Sequence, residues 1–86
     1  RPSIAWDGER FLIAWPSGSD IVGATLMPDG RFQNFTLAAA PARNPIVVGV
    51  MPGRFALAYE VQIDPEHRQL DFRYVDFKVF HRRPSR

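Results

Sequence analysis

Two clusters in this 86-residue sequence have the residue types and spacing that acid–base or metal chemistry needs. Asp7 and Glu9 flank Gly8, and two carboxylates that close can share a proton or hold a cation. Asp64, Glu66 and His67 offer carboxylate oxygens and an imidazole from one short segment, a donor set for a divalent metal. Each cluster also has a plainer reading. Asp-Gly between apolar runs is a hairpin turn, in which both residues satisfy local geometry. Pro65 and its polar neighbours suit a solvated loop. The plainer reading is adopted for both, and no metal or other cofactor is expected. His67 and His81 lie in different segments, without the His-Glu-x-x-His spacing of a zinc protease. Ser3, Ser17, Ser19 and Ser85 do not sit in a nucleophile elbow, and the glycines form no phosphate-binding loop. The absence of cysteine removes disulfides, thiolate chemistry and cysteine zinc sites. Catalysis by this chain alone is not expected.

The elements that must position these residues are short. Asp7-Gly8, residues 16–19, Pro28-Asp29-Gly30, residues 41–45, Pro52-Gly53 and residues 64–67 are turn or loop signals. Between them lie runs rich in β-branched and aromatic residues, at 3–6, 10–15, 21–26, 32–37, 46–50, 54–61 and 70–80. The alanine-rich stretch 36–42 is the best helical alternative, and Pro41 interrupts it. Seven or eight strands at this spacing predict an all-β meander, sandwich or propeller-like fold. In the last run Leu70, Phe72 and Tyr74 share one parity, and Val75, Phe77 and Val79 the other. A bulge or turn near Val75-Asp76 is the expected cause.

Composition narrows the partners. The hydrophobic fraction is 45%, which argues against disorder, and no apolar run is long enough for a membrane-spanning helix. The net charge of +2 comes from the tail, because Arg82, Arg83 and Arg86 supply three positive charges. Nucleic acid binding would need basic residues spread over one face, and is not expected. The chain opens on Arg1, which reads as a processed product or an excised segment. Its compartment is open, with a secreted or periplasmic location favoured. Asn34-Phe35-Thr36 matches a glycosylation sequon and is read as coincidence.

The two halves are alike. Pro2 opens an apolar strand, a glycine turn, and then Arg10-Phe11-Leu12-Ile13-Ala14-Trp15. Pro45 opens another, followed by Arg54-Phe55-Ala56-Leu57-Ala58-Tyr59. The offset is 43 at the proline and 44 at Arg-Phe, so the second turn holds one extra residue. The repeat units are residues 1–43 and 44–86, and Arg83-Pro84-Ser85 echoes Arg1-Pro2-Ser3 as if a third began. A repeat of this length matches a propeller blade. Trp6-Asp7-Gly8, Phe11-Leu12-Ile13-Ala14-Trp15, Asp20-Ile21-Val22-Gly23 and Asp29-Gly30 resemble one blade of bacterial β-propeller repeat proteins.

That resemblance implies two four-stranded antiparallel blades, part of a larger or oligomeric β-propeller. Two blades cannot close a ring, so it further implies a protein partner: another chain, or copies of this one. The expected function is a non-catalytic binding or assembly module. The chain also resembles small trimeric bacterial lectins, in size and in its Trp-Asp-Gly turn. This second resemblance implies a carbohydrate ligand, contacted by Glu9, Arg10 and Trp15 in the first unit and by Arg54 and Tyr59 in the second. Trp6, Trp15 and Tyr59 have a packing role as their alternative, filling space between blades. Arg10 and Arg54 hold equivalent repeat positions, which points to structure for both. A third reading is a processed subunit of an enzyme whose active site lies mainly on another chain. In every reading the run 70–80 makes a poor unpaired edge, and Phe72 and Phe77 are expected to dock a neighbour.

Overall fold

The computed structural model of the protein describes residues 1–79. The basic tail, His81 and the Arg83-Pro84-Ser85 echo lie outside the described residues. Seven antiparallel strands form two sheets. The first sheet is a meander of β1 (Ser3–Trp6), β2 (Phe11–Ser17), β3 (Asp20–Leu26) and β4 (Phe32–Ala38). The second is a meander of β5 (Ala42–Met51), β6 (Arg54–Asp64) and β7 (His67–Asp76). The second sheet thus has three strands among the described residues, where four were expected. The long hairpin of β6 and β7 uses the chain that a fourth strand would have needed. Residues 36–42 are the end of β4, a short connection and the start of β5, with no helical turn.

Register explains the offset between the halves. Ser3 pairs with Ala14 and Ile46 with Ala58, while Trp6 pairs with Phe11 and Gly49 with Phe55. The ladder then shifts between Gly49 and Met51, and Val50 is the additional residue. A bulge absorbs it, so both halves keep the same parity on their faces.

The last run is not one strand: β7 ends at Asp76, where the break was expected, and no bulge precedes it. β7 pairs with β6 without a shift from Arg68 to Asp76, and the irregularity lies at the other end, between Gln62 and Asp64. Leu70, Phe72 and Tyr74 share one face of β7 and Val75 lies on the other, while Phe77 and Val79 come after the strand. Leu70, Phe72 and Tyr74 are exposed, whereas Val75 is buried. Phe77 follows the strand, and its N–H donates to the Gly53 carbonyl at 2.7 Å. Its ring packs into the core beside Phe35 and Phe55, so Phe77 belongs to the internal interface and Phe72 to the outside.

A single core lies between the sheets. Leu12, Ala14, Ile21 and Leu37 of the first sheet meet Val47, Phe55, Leu57 and Val75 of the second. β5 crosses β1 and β2, and the Val47 N–H donates to Ser3 Oγ at 3.1 Å. Gly49 permits this approach, because a Cβ there would collide with the Trp6 carbonyl oxygen. Gly49→Ala is therefore expected to pry β5 from β1 and to lower stability by about 1–3 kcal/mol. Urea denaturation checks this, and an unchanged midpoint would contradict the close-packed crossing.

Candidate functional site

Asp7 sits where the turns of the two halves meet. The Asp-Gly turn puts its carboxylate beside the following backbone, and Oδ1 accepts from the N–H groups of Glu9 at 2.7 Å and Arg10 at 2.8 Å. Oδ2 accepts from the Gly53 N–H at 2.7 Å, which joins the β1–β2 turn to the β5–β6 turn. Gly53 has a φ of 86°, a left-handed conformation that disfavours side chains and aims its N–H across the gap. Arg10 is buried, with Nε 3.6 Å from Asp7 Oδ2. Its Nη2 donates to Glu9 Oε1 at 3.0 Å and to the Lys78 carbonyl at 2.7 Å, and the guanidinium lies 5.2 Å from the centre of the Phe77 ring.

Burial pushes the Asp7 pKa up, but three backbone N–H donors and the Arg10 charge more than cancel that effect, leaving it below the ordinary aspartate value. The carboxylate is thus held as an anion at neutral pH. It is a clamp rather than a proton carrier, and the pair Asp7–Glu9 takes the plainer of its two readings. The cluster at 64–67 does the same. His67 Nδ1 lies 2.7 Å from Asp64 Oδ1, and the Glu66 N–H donates to that oxygen at 2.9 Å, which closes an exposed loop. The hydrogen bond from His67 and that from Glu66 lower the Asp64 pKa.

The five residues singled out for sugar contact do not converge. Glu9 and Arg10 are tied to the turn clamp. Trp15 is half-buried on the outer face of the first sheet, across from Val22. Tyr59 packs against the core between the sheets. Arg54 binds Asp76 through Nε at 2.8 Å and Nη2 at 3.2 Å, and lies 4.5 Å from the centre of the Tyr74 ring. Equivalent repeat positions therefore do different work: Arg10 is buried against a turn, Arg54 is an exposed cross-strand pair. A pocket of about 430 Å³ opens beside Arg10, with Thr25, Arg31, Phe32, Phe77 and Lys78 in its wall. Arg31 is paired with Asp29 at 2.7 Å. Of the five residues only Arg10 lines it.

The larger candidate surface is one that single-residue motifs do not signal. Ile4, Trp6, Phe11 and Phe32 are exposed on the first sheet, on the side away from the core. Ile46, Val48, Leu70, Phe72 and Tyr74 are exposed on the far side of the second. Trp6 and Phe11 stack with ring centres 4.8 Å apart, and Phe72 meets Tyr74 edge-on at 5.4 Å. Contiguous exposed apolar faces of this kind mark interaction surfaces.

Asp7→Asn is expected to destabilise the chain by about 2–4 kcal/mol at neutral pH, since it removes a buried anion from Arg10 and a shared acceptor from Gly53. Because the folded pKa is lowered, the stabilisation is complete above the unfolded value and fades as pH falls through the folded one. The stability gap between Asp7→Asn and the parent should therefore narrow in acid; a pH-independent gap in chemical denaturation would contradict this. Comparison with protein-family models, with curated proteins and with solved structures returned no match.

Proposed function

We propose that the chain is a non-catalytic assembly or binding module, a β-propeller segment whose two blade-like sheets are completed by neighbouring sheets. The observation that carries this reading is the pair of apolar outer faces, one on each sheet. An antiparallel sheet that ends in solvent usually presents polar residues on that side. Here Phe72 is 60% exposed and Leu70 73%. Leaving such side chains in water forgoes about 1.5–3 kcal/mol each relative to burial. β7 is also an edge strand among the described residues, with backbone groups open to pairing.

The clamp at Asp7 fits this role. It ties the β1–β2 turn to the β5–β6 turn where the two sheets meet. The enzyme-subunit reading has no residue in its favour among those described, and the sugar-contact residues are dispersed.

The test is the mass of the isolated chain by light scattering after size exclusion, for the parent and for Phe72→Asp. The parent is expected as a discrete oligomer, and Phe72→Asp as a smaller species with unchanged far-UV circular dichroism. A folded, monomeric parent would contradict the reading. Phe77→Asp is a different kind of variant: with Phe77 in the core, it should lower the melting temperature whatever the assembly state.

A further inference from the structure

The core does not fill the space between the sheets to its end. Leu12 pairs with Thr25 and Thr25 with Gln33, so all three lie on the side of the first sheet that faces the second. Leu12 is buried in the core, whereas Gln33, on the edge strand, is exposed. Phe77 and Lys78, which follow β7, close this corner from the other side. The Phe77 N–H holds them to the Gly53 carbonyl, and Arg10 Nη2 holds the Lys78 carbonyl at 2.7 Å. The space left between these parts is the pocket of about 430 Å³. That volume lies within the range of small-molecule sites, roughly 300–1,000 Å³.

The wall of the pocket has two characters. Arg10, Arg31 and Lys78 bring three positive charges to it, and no aspartate or glutamate lines it. Phe32, Phe77 and Met27 make its apolar side. Thr25, only 7% exposed, and Gln33 add neutral polar groups. The Arg10 side chain is 4% exposed, so its charge acts from a largely desolvated position, where electrostatic attraction is stronger than in water. Asp7, Glu9 and Asp29 pair with Arg10 and Arg31 and cut the charge that these two present. Lys78 is exposed and forms no ion pair among the described residues. A positive wall whose charge is partly met in this way suits a singly charged anion better than a dianion.

We propose that this pocket binds a small molecule that carries one carboxylate on an aromatic or other apolar body. The carboxylate is drawn to Lys78 and Arg31, and the body packs against Phe32 and Phe77. Neither half of the wall specifies such a ligand alone. The cations select the charge, and the rings select what the charge is attached to. The site goes beyond the assembly reading and does not depend on it.

Phenylacetate is a probe with both features, phenylacetamide keeps the ring without the charge, and inorganic phosphate keeps charge without the ring. Each is titrated into the chain and followed by the backbone amide resonances. Phenylacetate should shift Thr25, Phe32, Gln33, Phe77 and Lys78 in a saturable way, with an affinity in the millimolar range or tighter. Phenylacetamide and phosphate should each bind about tenfold more weakly. Added salt should weaken the phenylacetate binding. Lys78→Gln and Arg31→Gln, both at exposed positions, should each weaken it by about two- to fivefold, with unchanged far-UV circular dichroism. Phenylacetamide binding as well as phenylacetate would reduce the site to an apolar crevice and overturn the proposal. Phosphate binding as well or better would overturn it by showing a general anion patch. Shifts that never saturate, or that fall elsewhere on the chain, would overturn it too. Light scattering reads self-association separately, so each of these failures leaves the assembly reading standing.

Discussion

Four sheet faces and one internal interface set the terms for this structure. Packing one sheet on the other buries two faces in a core that includes Leu12, Phe55 and Leu57, each fully shielded. The other two remain outside with Trp6, Phe11, Phe72 and Tyr74 on them. A small chain without disulfides hides a modest share of its surface and has little stability to spare. Whatever holds the chain folded in use must deal with those outer faces. The local features serve the one joint that the chain makes for itself. Gly49 lets the strands cross, Asp7 ties the turns, and Phe77 closes the end of the core.

Much of the fold was legible in the sequence because turns write themselves strongly. Asp7-Gly8, Pro28-Asp29-Gly30 and Pro52-Gly53 each mark a chain reversal, and each of the seven strands overlaps one of the runs between turns, although β5 begins at Ala42, inside the stretch read as a connection, and β6 and β7 run into the stretch 64–67. The repeat offset pointed to one extra residue in the second turn, and the bulge at Val50 accounts for it. Two expectations failed, for different reasons. The run 70–80 was read as one strand, so its change of parity called for a bulge or turn near Val75-Asp76; instead the strand ends at Asp76. The second face of β7 carries Gln69, Asp71 and Arg73 before Val75, and Phe77 lies past the end of the strand at Asp76, where it turns inward while Phe72 stays out. The strand count of the second sheet was carried over from the first, but the lengths of β6 and β7 leave no chain for a fourth strand among the described residues.

Site residues were legible to a smaller degree, since a linear pattern does not say which partner a side chain finds. Arg10 and Arg54 look identical in the repeat, yet only Arg10 has a carboxylate at the start of its turn. Met51 replaces that carboxylate in the second half, and Arg54 pairs instead with Asp76 across the strand. Trp15 and Tyr59 are equivalent too, but one faces out and the other into the core, because the sheets present opposite faces to the joint. No residue-by-residue scan could supply that sidedness. It follows only from knowing which faces meet.

The most direct measurement is the thermal unfolding midpoint of the chain over a wide range of protein concentration. Association that involves only the folded state raises the midpoint as concentration rises. The account predicts that rise, together with a loss of cooperative unfolding at high dilution. A sharp transition whose midpoint is independent of concentration would show that the chain is stable with both outer faces in water, and would contradict it.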